Sequence, residues 1–225
     1  ALEVTQKIED SNSKGRVLSD IARALAKAGE IKQALEIAQQ LEDPKRKGFA
    51  LSDIARDLAK AGEIKQALEI AQQLEDPENK LYILRVIASA LLEAGDKPQA
   101  LAILKQALEV TQKIEGASSK RIALSNIARA LAKAGEIEQA LEVAQKIEDP
   151  SSKVDALEDI AAALLKAGDK PQALAILKQA MEVAQKIEDP RNKESVLKDI
   201  AMSLATRTST SATPGRRASS RRMKQ

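Results

Sequence analysis

The feature that most restricts this chain is that it repeats itself. The string LAKAGEIKQALEIAQ occurs letter for letter at 25–39 and 58–72, and altered copies follow, so that Gly29, Gly62, Gly95, Gly135 and Gly168 are spaced 33, 33, 40 and 33 residues apart. Copies at such a period are stacked supersecondary units, each too thin to enclose a core alone and each burying its apolar face against the next. The 225 residues therefore measure a number of units rather than a number of domains.

The second unit shows how one copy is built. Asp43 and Pro44 read as a cap and first-turn proline, and Leu51, Ile54, Ala55, Leu58 and Ala61 recur at the spacing of one buried helical stripe. Gly62 then suits a left-handed C-cap, and Glu63 places an acid at the start of a second helix whose stripe is Ile64, Ala67, Leu68, Ala71 and Leu74. The 40-residue units contain one insertion, QALAILK, at 99–105 and again at 172–178. Seven residues add about 10 Å of helix while turning its buried face by only about 20°, so the stacking face survives. Pro98 and Pro171 sit where a first-turn proline costs no hydrogen bond.

Residues 1–9 duplicate 107–115, so the sequence opens inside a second helix and reads as an excerpt of a longer or designed array. At the other end a first helix from Asp189 and Pro190 carries Val196, Leu197, Ile200, Ala201 and Leu204 with no partner helix after it. The expectation is an all-α solenoid of stacked antiparallel helix pairs over 1–205, about twelve helices with partial units at both ends. A disordered basic tail over 206–225 follows.

Charge follows this division. The net charge of +3 arises because six basic and no acidic residues fall in the last nineteen, leaving 30 basic and 33 acidic residues in the body. With no cysteine there is no disulfide framework or thiolate site, and with no histidine the commonest base and metal ligand is missing. No phosphate-binding glycine loop or serine elbow occurs, and Glu36, Glu69 and Glu142 repeat on equivalent faces rather than in the contrasting environments that an acid–base pair needs. The reading is a non-enzyme with no cofactor. With no signal-peptide pattern at the start of the sequence and no apolar run long enough for a membrane span, the expectation is a cytoplasmic location.

The period, the small residues Ala22, Ala55, Ala88, Ala128 and Ala161 in the first helices, the glycine–acid turns, Ala34, Ala67, Ala100, Ala140 and Ala173 in the second helices, and the boundary prolines together resemble the tetratricopeptide repeat over roughly 14–205. Leucines (18, 51, 84, 124, 157 and 25, 58, 91, 131, 164) replace the family's first-helix bulky aromatic and tyrosine, and alanine replaces its glycine in that helix. The resemblance implies a right-handed α-solenoid that acts as a protein-interaction scaffold, with a concave groove lined by first helices.

Implied groove positions begin at Arg16, Ser19, Arg23 and Lys27, continue through Phe49, Ser52, Arg56 and Lys60, then Tyr82, Arg85, Ser89 and Glu93, and pass by Ile122, Ser125, Arg129 and Lys133 to a mixed fifth unit with Asp155 and Glu158. Arg16, Arg23, Arg56, Arg85 and Arg129 would suit the carboxylates of an acidic or extended peptide. Asp20–Arg23 and Asp53–Arg56 equally read as ordinary helix-surface pairs. Phe49 and Tyr82, the chain's sole aromatics, lie 33 residues apart at one position and are either ligand anchors or packing groups. In the tail, arginines before Ser219 suit phosphorylation by a basophilic kinase, and the same charges suit nucleic acid or an anionic surface, with no aromatic for base stacking. Self-association of a structural, engineered array through its unfinished ends is the remaining alternative.

Overall fold

The structure, a computed structural model, describes residues 10–208. Among these residues all regular structure is helical. There are eleven helices: α1 Ser11–Lys27, α2 Ile31–Gln39, α3 Pro44–Lys60, α4 Ile64–Gln73, α5 Pro77–Glu93, α6 Lys97–Thr111, α7 Ala117–Lys133, α8 Ile137–Gln145, α9 Pro150–Lys166, α10 Lys170–Ala184 and α11 Pro190–Thr208. Odd-numbered helices are the first helices of each unit, and even-numbered ones the second. The partial helix expected over 1–9 and the tail beyond 208, with Ser219, lie outside the described residues.

The helix ends follow from the sequence signals. Asp10, Asp43, Asp76 and Asp149 accept backbone N–H bonds at the starts of α1, α3, α5 and α9, and Pro44, Pro77 and Pro150 occupy the first turn. Each turn glycine has φ between 81° and 89°. The residue after it donates its N–H to the leucine carbonyl five positions back, as in Glu63 to Leu58 and Asp96 to Leu91, both 2.9 Å, so the glycine satisfies a carbonyl that the helix end would leave open. That acid then turns to the next helix in one of two ways. Asp96 and Asp169 cap the backbone of Gln99 and Gln172, whereas the longer Glu30, Glu63 and Glu136 hold the side-chain amides of Gln33, Gln66 and Gln139.

Stacking rests on the small residues. Ala22, Ala55, Ala88, Ala128 and Ala161, and likewise Ala34, Ala67, Ala100, Ala140 and Ala173, are all fully buried, which lets helices approach closely with isoleucine and leucine filling the space around them. First helices pack directly on one another. Each second helix packs on its own first helix and on the next one, and among the described residues second helices do not pack on each other. Two first-helix junctions are sparse, α5 with α7 and α9 with α11, and each follows a long second helix carrying the insertion.

The stripes differ from expectation in detail. Ala61 is exposed, because it is the residue on which α3 stops, while Ala50, Ala59 and Ile70 are buried. Ile70 was missed because a second helix is covered by two first helices, its own and the next, and so buries a wider arc than one stripe.

Replacing Gly62 with Ala tests the turn by itself, since nothing lies within 4 Å of the new Cβ and only backbone strain is added. The expected cost is about 1–2 kcal/mol, read as a lower urea midpoint with an unchanged slope. An unaltered midpoint would contradict the role given to the glycine.

Candidate functional site

The first-helix face is built by register. Positions 16, 49, 82, 122 and 155 are equivalent in successive units and carry Arg16, Phe49, Tyr82, Ile122 and Asp155. Phe49, Tyr82 and Ile122 are 58%, 36% and 54% exposed, and they make up three of the five large apolar residues left in the open among the described residues. Aromatic residues alone suggested a pair here; the row has a third, aliphatic member that a search for aromatics passes over.

The arginines behave differently from one another. Arg23 Nε donates to Asp53 Oδ2 of the next unit at 2.8 Å, and Arg129 Nε to Asp159 Oδ2 at 2.6 Å, each across 30 residues. Thirty is one period less one helical turn, which sets the donor beside the neighbouring helix's acid. These two arginines, expected to face a ligand, are each paired with an acid of the adjacent unit. The 3.6 Å contact of Arg23 with Asp20 is the looser of its two. From Arg56 the same step reaches Val86, which offers no acceptor. Arg56 therefore turns to Asp53 at 2.5 Å and Asp57 at 3.2 Å, and its pKa is raised by hydrogen bonding with Tyr82 and by those two carboxylates. Arg85 lies over the Tyr82 ring, 5.3 Å from its centre, and no carboxylate pairs with it among the described residues. Arg16 is exposed at the end of the row. Ser52, expected on this face, is buried.

Tyr82 thus stands between two guanidinium groups, and beyond it the sparse α5–α7 junction opens into a cleft of about 320 Å³. Leu81, Ile114, Ala123 and Ile127 give it apolar walls; Glu78, Tyr82, Arg85, Ser119, Ile122 and Asn126 complete the lining. Sequence reasoning did not find this cleft, which depends on how far α6 separates two first helices. Among the described residues no group of three or more acidic side chains is placed to hold a metal, and no helix is long and apolar enough to cross a membrane.

At the fifth unit the charge reverses. Asp149 has a lowered pKa because the Ser152 side chain and backbone N–H hydrogen-bond its carboxylate. Asp155 has a raised one, through partial desolvation and then the like charges of Asp159 and Asp149. A raised value in the fold means that the ionised form is disfavoured there, so Asp155 costs stability at neutral pH and the cost disappears as pH falls through its folded value. Asp155→Asn should raise the melting temperature slightly at pH 7, with the gain vanishing once pH falls below the ordinary aspartate value of 3.8. A gain that persists undiminished at pH 3 would contradict this assignment.

Residues 79–149 and 154–191 match family models described as tetratricopeptide repeat. No curated protein matches the chain. Solved structures similar to it include Ton1535 from Thermococcus onnurineus NA1, at 25% identity and a TM-score of 0.48, covering 84% of this chain and 58% of that one. Another holds nearly identical TPR-like repeats of a putative kinesin light chain from Podosopora anserina, at 18% identity and a TM-score of 0.47, covering 81% and 100%. A third is YrrB, a TPR protein with an unusual peptide-binding site, at 17% identity and a TM-score of 0.42, covering 80% and 90%.

Proposed function

Given that the chain is a tetratricopeptide-repeat-like helical repeat protein, we propose that it is a protein-interaction scaffold binding an extended peptide segment along its first helices. The observation that carries this reading is the exposed row Phe49, Tyr82 and Ile122, one register position kept apolar through three consecutive units. A surface helix gains nothing by holding a Phe in water, and a row at the repeat spacing matches a ligand that runs across units rather than into one of them.

Direct packing between first helices, with second helices kept apart, also favours an array that bends toward the first-helix side and makes it the inner wall. The peptide's acidity is secondary in this reading. With Arg23 and Arg129 occupied by Asp53 and Asp159, the row supplies most of the contact and Arg85 supplies a cation at its centre.

A random peptide library displayed on phage tests the reading. Selected peptides should contain bulky apolar residues and should bind the Phe49→Ala, Tyr82→Ala, Ile122→Ala triple variant at least about tenfold more weakly, because exposed aromatics that anchor a ligand are hot spots. The variant should keep its melting temperature within a few degrees. Equal binding by the variant, or no enrichment at all, would refute the proposal.

A further inference from the structure

We infer that the α5–α7 cleft is a specificity pocket for one bulky apolar side chain with a carboxylate on a residue beside it, an inference that rests on the peptide-binding reading above. The argument begins with the insertion. Where the second helix has 9 or 10 residues, consecutive first helices close on each other; where α6 has 15, α5 and α7 meet only sparsely and a gap remains between them. The inserted heptad keeps the buried face in register, so the gap is a product of spacing rather than of misfit.

The chain contains its own control for what such a gap holds. The same insertion recurs in α10, and α9 and α11 are again sparsely packed. At the positions equivalent to Tyr82, Arg85, Ile122 and Asn126, that junction carries Asp155, Glu158, Ser195 and Asp199. The spacing is therefore common to both junctions, while an apolar and cationic lining belongs to the first alone.

That lining has a direction. Ile114 and Ile127 are buried at its base, and Tyr82 and Ile122 stand exposed on opposite walls, one on α5 and one on α7. An apolar side chain inserted between them replaces water on both. Arg85 on α5 and Asn126 on α7 add a cation and an amide to the lining, and Arg85 has no carboxylate of its own among the described residues. Glu78, the one acid in the lining, sits on α5 seven residues before Arg85, about 10 Å away along the helix axis. A ligand carboxylate is drawn to the Arg85 end and repelled from the Glu78 end, which sets where the two ligand groups lie along the cleft.

Isoleucine-methyl NMR on the full chain tests this with acetyl-glycyl-leucyl-aspartyl-glycinamide as the probe. Saturable shifts are expected at Ile114, Ile122 and Ile127, and none at Ile187 and Ile200 beside the second junction. The asparaginyl analogue of the peptide, and separately Arg85→Gln, should each weaken binding by about fivefold, the loss of one partly exposed charge pair. Ile122→Ser, an exposed change to the residue of the second junction, should abolish it. Equal shifts at both junctions, or affinities indifferent to Arg85→Gln and to the asparaginyl peptide, would overturn the inference. If library-selected peptides bind the exposed row while this probe leaves the cleft silent, the pocket is wrong and the scaffold reading stands. If neither binds, both fall.

Discussion

The contact on which the rest depends is the one between units, made where an alanine faces a neighbouring helix. Ala55, Ala88, Ala128 and their equivalents are wholly buried, and their small size lets Ile54, Ile87 and Ile127 reach across and be buried in turn. Each such isoleucine contributes about 2 kcal/mol by leaving water. A single helix pair cannot collect that contribution, because one side of every first helix is finished only by the next unit. The sequence repeats for this reason: the surface that each copy offers forward must fit the surface that the next offers back.

Charge is subordinate to the same stacking. Arg23 with Asp53, Arg129 with Asp159, and Lys97 with Glu136 at 2.9 Å all join one unit to the next. These pairs are partly exposed, so each is worth less than about 1 kcal/mol, but they act in register with the apolar contacts and disfavour a slipped alignment. Where the ladder breaks, at Val86, Arg56 turns toward Tyr82, and the next junction is the one spread apart by the longer α6. The interruption in the ladder and the widened junction place Tyr82 and Arg85 at the centre of the exposed row.

What could be read from the sequence was whatever each unit determines locally. The turn glycines, the Asp–Pro caps and the ten buried alanines are repeated several times, and each is dictated by backbone geometry within a few residues. What could not be read was set between units. Whether Arg23 faces a ligand or Asp53 depends on how two helices are offset, and only a comparison of residues 30 apart would have found the pair. The burial of Ser52 has the same origin. Gly48, one turn before it, is so close to α5 that a Cβ there would meet the Asn79 amide at 2.7 Å, and the helices are correspondingly tight around Ser52. Register placed Ile122 on the groove face, but that it continues the apolar row of Phe49 and Tyr82 shows only when the exposures of the three equivalent positions are set side by side.

The claim that stability passes only between neighbours is tested most directly by hydrogen exchange on the full chain carrying Ala88→Glu, a charge placed at a fully buried contact in α5. The account predicts that protection falls most in α5 and in the helices that pack on it, α3, α4, α6 and α7, and progressively less toward α1 and α10. An equal loss of protection in every helix would mean one shared core and would contradict it.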